Sequence, residues 1–171
     1  RVQVELVQRL GRFRHALNSI GDTPSRRDLE DLIAYARSLE LREEEVGEEL
    51  EGVRAAIEAT ELAARIERGN LPLVPRPDIA PGDACHFAAP VRFGRRRADQ
   101  YGHLLLTAGW IKFRGAVDLS VAWSEVAGVQ RSGKELIVAM AGNRRQLRFA
   151  CQTLSEAARA GVVAEHLAEA A

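Results

Sequence analysis

Basic side chains cluster in one stretch of the chain and recur shortly after it. Guanidinium groups form paired hydrogen bonds with phosphate and carboxylate oxygens, and a nearby aromatic ring adds contact area. The candidate binding residues that share this chemistry are Arg92, Arg95, Arg96, Arg97, Trp110, Lys112 and Arg114. Their types and spacing predict a surface that binds an anionic group.

Three interpretations of this basic cluster are open from the sequence. It binds an anionic lipid headgroup or another phosphate, or it contacts the acidic segment from Glu43 to Glu51 of this or another chain, or it is solvated surface. Arginine supplies 22 of the 24 basic residues, so arginine-rich stretches partly reflect the overall composition of this chain.

Cysteine and histidine residues are the other candidates for chemistry. Cys85, His86, His103 and Cys151 carry groups that zinc accepts, but their spacing matches no short zinc signature. Nucleophilic catalysis needs a cysteine, a histidine and an acid on one surface. Although Asp83 is near Cys85 and His86 in sequence, adjacent residues of a strand point to opposite faces. We therefore expect no metal site, no cofactor and no enzymatic activity.

The composition is that of a soluble globular protein. The chain has 171 residues, 46% of them hydrophobic and 28% charged, which is enough for one domain or two small ones. No run approaches the ~18 apolar residues of a membrane span, and no leader is recognisable. Two cysteines cannot form a disulfide framework, so we expect a cytoplasmic protein, with peripheral membrane attachment as an alternative. Because the chain begins with Arg1, we expect a piece of a longer protein.

The charges divide the chain into two parts. Residues 1–70 hold 11 basic and 15 acidic residues, whereas residues 71–171 hold 13 basic and 9 acidic residues. The excess in the second part is modest and the acidic part opposes it, so we expect no nucleic-acid partner. The composition changes at Pro72, Pro75 and Pro77, which exclude a helix there. We predict an α-helical region over residues 1–68, a linker over 69–82 and a second domain over 83–171.

Helical periodicity dominates the first region. An apolar stripe with alternating steps of four and three residues runs through Leu6, Leu10, Phe13, Leu17 and Ile20. A second stripe runs through Leu29, Leu32, Ala36, Leu39, Val46, Leu50, Val53, Ile57, Thr60 and Ala64. Residues 25–68 contain no proline and form either one long helix or two helices hinged near residue 40; the acidic run at 43–45 favours the hinge. The stripes fit an antiparallel hairpin or three-helix packing within the chain, or a coiled coil between copies.

From residue 83 the apolar period changes to two, which is typical of half-buried antiparallel strands. Six strands are predicted, at residues 84–93, 102–107, 110–114, 118–123, 135–140 and 146–151. Thr153 followed by Glu156 is a capping-box pair that begins a terminal amphipathic helix. The fold class is therefore α+β: a helical hairpin or coiled coil, then an antiparallel β-barrel that a C-terminal helix caps.

The order of core residues in the second domain resembles the pleckstrin-homology-like (PH-like) superfamily, particularly its bacterial and GRAM-type members. The similarity covers about residues 83–170, and its motifs are Gly102-His103-Leu104-Leu105-Leu106-Thr107, Trp110-Ile111-Lys112-Phe113, residues 121–129 and Leu147-Arg148-Phe149 before the final helix. The resemblance implies seven strands and a capping helix. Either the first strand is bent into two, or residues 124–130 form the seventh strand.

This resemblance also implies binding of lipid headgroups, peptides or proteins, without catalysis. In members that bind phosphoinositides, a basic-x-basic pair lies on the second strand, whereas here the pair Lys112 and Arg114 lies one strand later. Our leading hypothesis is a non-catalytic module that docks a protein partner, with helices that mediate self-association or attachment to a longer protein. The alternative is a peripheral membrane adaptor that binds anionic headgroups through the arginine-rich loop after the first strand, where each charge adds about 1 kcal/mol.

Overall fold

The computed structural model describes residues 2–76, 83–94, 100–142 and 145–171. The chain divides into two compact units, Arg1–Thr60 and Glu61–Ala171. The division falls inside the third helix, whereas the sequence places the linker at residues 69–82. None of the described helices is long and apolar enough to cross a bilayer.

The first unit is built from helices α1 (Val2–Asn18), α2 (Arg26–Ser38) and most of α3 (Glu43–Glu67). The apolar stripe of α1 packs against those of α2 and α3, with Phe13 fully buried among them. The residues that complete this core are Leu29, Leu32, Ala36, Leu41, Val46, Val53 and Ile57. The stripes therefore meet within the chain, as the three-helix alternative requires.

A tight turn separates α2 from α3, so residues 25–68 form two helices. Ser25 caps α2 reciprocally with Asp28, since each side chain accepts a hydrogen bond from the other residue's amide. At the other end the Leu41 amide donates to the Ala36 carbonyl at 3.0 Å, and Glu40 adopts the left-handed region with a φ of 55°. The Arg9 guanidinium of α1 donates to the Leu39 carbonyl at 3.1 Å, which fastens the turn to the first helix.

The second unit contains one seven-stranded antiparallel sheet. Its strands are β1 (Cys85–Phe93), β2 (Gln100–Thr107), β3 (Trp110–Gly115), β4 (Leu119–Ala122), β5 (Val126–Ser132), β6 (Glu135–Met140) and β7 (Gln146–Cys151). The order across the sheet is β4-β3-β2-β1-β7-β6-β5. A 3₁₀ turn, Trp123–Glu125, joins the two end strands, so the sheet curls far enough to bring the end of β4 near the start of β5. The seventh strand is β5, one of the two alternatives for the strand that the periodicity left unplaced.

Aromatic rings fill one end of the curled sheet. The ring centroids of Phe93 and Phe113 lie 5.1 Å apart, and those of Phe93 and Phe149 lie 5.0 Å apart. A Cβ atom at Gly102 would approach the Phe113 ring to 2.8 Å, so only glycine fits at this position of β2. The indole of Trp123 donates to the Thr107 carbonyl at 2.8 Å, which satisfies its buried N–H.

Two helices complete this core. The terminal helix α4 (Leu154–Glu169) begins at Thr153, whose hydroxyl accepts from the Glu156 amide, and it buries mainly alanine and valine against the sheet. The last two turns of α3 add Leu62 and Ile66 to the same core. The sequence predicts instead that Thr60 and Ala64 continue the α3 stripe, which is wrong because the buried face of α3 shifts where the second unit begins.

Residues 71–76, which we name the strap, lie against the second unit rather than forming a free connector. Leu71 packs against the main core, and Val74 packs on the opposite face of the sheet against Cys85, Leu105 and Ala88. Leu105 is fully buried although it alternates with the core-facing Leu104 and Leu106. The strap therefore supplies part of the apolar cover of this domain. The order of elements, seven strands and a C-terminal helix, is the one that the PH-like resemblance implies.

We predict that the second unit needs residues 61–82 to fold. A fragment of residues 83–171 loses the buried side chains Leu62 and Ile66, at a cost of about 1.5–3 kcal/mol each, and also the partly buried Val74. A fragment of residues 61–171 should melt cooperatively, whereas the shorter one should melt far lower or be unfolded, as circular dichroism can measure. Melting temperatures within about 4 °C of each other would contradict the structure.

Candidate functional site

The outer face of the sheet, opposite the core, carries most of the side chains of the candidate site. Along β1 the core-facing Phe87, Ala89 and Val91 alternate with Ala88, Pro90 and Arg92, which point outward. The strand register places outward-pointing residues of neighbouring strands side by side. Arg92 lies opposite Tyr101, Pro90 opposite His103, and His103 opposite Arg114.

An open groove of about 790 Å³ crosses this face between β2, β1, β7 and the β5–β6 turn. We name it the outer groove. Its lining residues come from β2, β1, the end of β7 and the β5–β6 turn, and are Pro90, Val91, Arg92, Tyr101, Gly102, His103, Ser132, Lys134, Glu135, Ala150, Cys151 and Gln152. Arg92, Lys134 and His103 are exposed, and the Tyr101 ring is 76% exposed. The Glu135 carboxylate is paired with Arg148 at 3.4 Å. Cationic and aromatic groups therefore dominate the open surface of the groove.

The predicted binding residues do not form one cluster. Arg92 lies in the outer groove, and Arg114 borders it through its position beside His103. Arg95, Arg96 and Arg97 lie outside the described residues. Trp110, 42% exposed, begins β3 while Arg114 is near its end, about 13 Å away along the strand. Trp110 is therefore a separate exposed surface and not part of the groove.

Lys112 corrects the expectation of an accessible pair of cations on the outer face of β3. Its side chain is 11% exposed, and its ammonium lies 3.1 Å from the carboxylate of Asp83, which is 14% exposed. Arg114 is more open, and its guanidinium bonds Asp118 at 3.2 Å across the β3–β4 turn. Both cations of the basic-x-basic pair therefore already have a carboxylate partner.

The Asp83 carboxylate is also the fastening point of the β2–β3 turn. Burial by itself raises the pKa of Asp83, but hydrogen bonds from Thr107, Lys112 and the Gly109 amide, with the Lys112 charge, hold it below its ordinary value of 3.8. The Ala108 amide donates to the Ala84 carbonyl at 2.9 Å beside it. Asp83 and Lys112 thus hold the start of β1 to the turn, which is a structural role.

Neither cysteine is placed as a nucleophile. Cys85 is buried and its thiol donates to the Phe87 carbonyl at 3.2 Å, while the neighbouring His86 ring bonds the Pro72 carbonyl at 2.7 Å. Burial and the charge of Glu156 raise the pKa of Cys151 to about 11, against a smaller opposing effect of Arg159. A thiol with such a pKa is protonated at neutral pH and is a poor nucleophile. No three histidine, cysteine, aspartate or glutamate side chains among the described residues are grouped as metal ligands.

Sequence reasoning missed several groove residues. Tyr101, Lys134 and Pro90 come from three separate elements that only the strand register brings together. The available signal was the parity of β2, since Tyr101 and His103 alternate with the core position Leu104. Nothing local in the sequence signals that the β5–β6 turn with Lys134 reaches β1.

Comparison with solved structures gives neighbours of low sequence identity. The C-terminal domain of an unknown protein from Leishmania infantum is 14% identical with a TM-score of 0.39, over 58% of this chain and 87% of that chain. Inner Membrane Complex Sub-compartment Protein 3 from Toxoplasma gondii is 9% identical with a TM-score of 0.43, over 48% of this chain and 75% of that one. The DH/PH fragment of PDZRHOGEF, in complex with human RhoA, is 13% identical with a TM-score of 0.45, over 96% of this chain and 54% of that one. No protein-family model matches the chain, and no curated protein matches it.

Replacing Lys112 should destabilise the protein more than replacing the other cation of the pair. Lys112→Met leaves the mostly buried Asp83 carboxylate without its counter-ion, which we expect to cost about 2–3 kcal/mol, below the cost for a fully buried pair. Arg114→Met is the matched control, because its exposed pair contributes at most about 1 kcal/mol. Urea unfolding at neutral pH measures both; equal losses would contradict the structural role of Lys112.

The same pair should make stability depend on pH in a defined window. Because the pKa of Asp83 is lower in the folded chain, its stabilising contribution is complete above the ordinary value of 3.8 and is lost as the pH falls through the lowered value. The stability difference between the wild-type protein and Asp83→Asn should therefore shrink below about pH 4. A difference that stays constant as the pH falls from about 4 to about 2 would rule out the depressed pKa.

Both thiols should be unreactive in the folded protein. With a pKa of about 11, only about one Cys151 side chain in a thousand is a thiolate at pH 8, and Cys85 is buried. Titration with Ellman's reagent should release two equivalents in denaturant and only a slow, small fraction under native conditions. Rapid native reaction of one equivalent would show that a thiol is activated.

Proposed function

We propose that this chain is a non-catalytic interaction module that docks an acidic segment of a protein partner in the outer groove. The observation that supports this is the arrangement of Arg92, Lys134, His103 and the exposed Tyr101 ring around one concave surface. Carboxylates pair with such cations, and tyrosine is among the residues enriched where proteins bind each other. The rigid sheet beneath them presents this surface without any rearrangement of the core.

The charge distribution favours an extended acidic peptide over a compact phosphate headgroup. Among the predicted cations, Lys112 and Arg114 are already neutralised by Asp83 and Asp118. The described cations that open onto the groove, Arg92 and Lys134, come from different strands and turns rather than from one cradle. A groove of about 790 Å³ is also long enough for several residues of peptide, with Tyr101 available to an apolar side chain.

The placement of the thiols supports a role without catalysis. Cys151 lines the groove, but burial raises its pKa to about 11, and Cys85 is bonded within its own strand. The surface therefore offers charge and shape to a partner rather than a reacting group. Self-association through the helices is not needed for this function.

An acidic probe peptide tests the proposal. An eight-residue peptide in which glutamate alternates with threonine should shift the amide resonances of residues 91–92 and 101–103 of the whole chain, with an affinity that falls as salt is added. The double variant Arg92→Ala with Lys134→Ala should bind about 5–10-fold more weakly, since each partly exposed charge pair contributes up to about 1 kcal/mol. The double variant Arg12→Ala with Arg27→Ala removes two exposed arginines from the first unit and should bind like the wild type.

A vesicle-binding assay tests the alternative ligand, an anionic lipid headgroup. Phosphatidylcholine vesicles with and without phosphatidylserine are sedimented with each protein at low salt. Binding to the anionic vesicles that requires Arg92 and Lys134, together with no shift by the peptide, would overturn protein docking and assign the groove to lipid headgroups. Equal peptide binding by both double variants would place the acidic ligand elsewhere.

A further inference from the structure

Strand β1 has an open edge along its first half. It pairs with β2 from Cys85 to Phe93, but with β7 only from Val91 to Phe93. On the side away from β2, none of the described strands pairs with β1 before Val91. The Ala84 carbonyl bonds the Ala108 amide on the β2 side, so by the alternation of an antiparallel ladder the Cys85 carbonyl points toward the open side.

The strap occupies this edge. The Val74 amide donates to the Cys85 carbonyl at 2.9 Å, and the Pro72 carbonyl bonds the His86 ring at 2.7 Å. As the strap runs forward from Pro72 to Val74, its contacts on β1 run backward, from His86 to Cys85. The strap therefore lies antiparallel to β1. Its side chains also alternate as in a strand, since Val74 faces the sheet whereas Leu73 is 72% exposed. The strap is thus an extended segment that one backbone hydrogen bond and one histidine side chain join to the edge of β1.

The strap binds the edge of β1 weakly, although the edge and the apolar patch beside it form a well-defined site. Pro72 and Pro75 have no N–H, so Val74 is the strap residue between them whose amide bonds the strand. Beneath Val74 lies an apolar patch of Cys85, Ala88 and Leu105, which is shaped for one aliphatic side chain. A partner segment that has an ordinary residue in place of Pro72 and an aliphatic residue in place of Val74 fits the same apolar patch. Its backbone N–H at the first position adds one hydrogen-bond donor that the strap lacks.

We propose that the open edge of β1 is a strand-addition site for an extended partner segment with an aliphatic residue at the Val74 position, and that the strap fills the site when the partner is absent. The site is distinct from the outer groove, because Cys85, Ala88, Leu105 and the strap do not line the groove. Recognition combines main-chain hydrogen bonds with one apolar pocket, as in other cases of strand addition. It does not depend on the acidic ligand proposed for the groove.

A labelled peptide with the sequence of residues 69–78 of this chain tests the site in the whole protein. Val74→Asp releases the resident strap, because it sets a carboxylate on the apolar patch, and should bind the peptide at least 10-fold more tightly than the wild type. Leu73→Asp is the matched control: it makes the same change one residue earlier on the exposed side and should bind like the wild type. The peptide that itself carries Val74→Asp should not bind either protein.

Hydrogen exchange tests the proposal in the wild-type protein, in case Val74→Asp does not fold. Saturating peptide should speed exchange of the Val74 amide at least 3-fold, since it traps the released strap, while the Ala108 amide stays protected. Unchanged exchange of Val74, or equal peptide binding by the two folded variants, would overturn the site. Concentration-dependent dimers of the wild type that Val74→Asp abolishes would also overturn it, because they would assign the edge to the strap of a second copy.

Discussion

The divided pairing of β1 is the constraint on which the surface of the second unit depends. This strand bonds β2 along its whole length but bonds β7 over only three residues, from Val91 to Phe93. Where both neighbours are present, the outer face continues from β2 through β1 to β7 and forms the floor of the outer groove. Where β7 has diverged, the backbone of β1 has an unused edge, and the strap covers it. Both surfaces that we propose for recognition therefore depend on where β7 separates from β1.

Charge on the outer face follows from the same arrangement. At the strap end, Lys112 lies over Leu105 in the register and is mostly buried, so it needs the carboxylate of Asp83 to offset its desolvation. At the groove end, Arg92 and Lys134 are exposed. Burial on this face thus separates the structural counter-ion Lys112 from the two cations that we propose as binding residues.

The sequence predicted the elements well and the site only partly, for physical reasons. Periodicity depends on residues close in the chain, so the α1 stripe with Phe13 at its centre and the strands of the sheet could be predicted. The change of buried face in α3 could not, because Leu62 and Ile66 are buried by strands that follow later in the chain. The same limit applies to Asp83 beside Lys112 and to Tyr101 beside Arg92, pairs that only the fold brings together.

For the proline-rich segment, the composition predicts an extended backbone but not the surface against which the segment packs. Three prolines do exclude a helix, but an extended chain that keeps an N–H donor at Val74 is also suited to lie beside a strand edge, where this amide bonds the Cys85 carbonyl. Composition gives the backbone conformation of such a segment. It does not show whether a surface with a matching edge and an apolar patch lies within reach.

Release of the strap and unfolding of the core are separable because of how α3 ends. The helix stops in a turn with Gly69 at a φ of 86°, where the Asn70 amide bonds the Arg65 carbonyl at 2.9 Å, and Leu71 then packs against the core. Only the residues beyond Leu71 need to leave the sheet.

The strap residues beyond Leu71 give up two hydrogen bonds of about 1 kcal/mol each. Burial of one aliphatic side chain adds about 1–1.5 kcal/mol, because Val74 is only partly buried. The sum of about 3–3.5 kcal/mol lies below the 5–15 kcal/mol that typically separates a folded domain from its unfolded chain. Opening of the strap therefore costs less free energy than unfolding of the core that Leu62 and Ile66 help to close, as the proposed strand exchange requires.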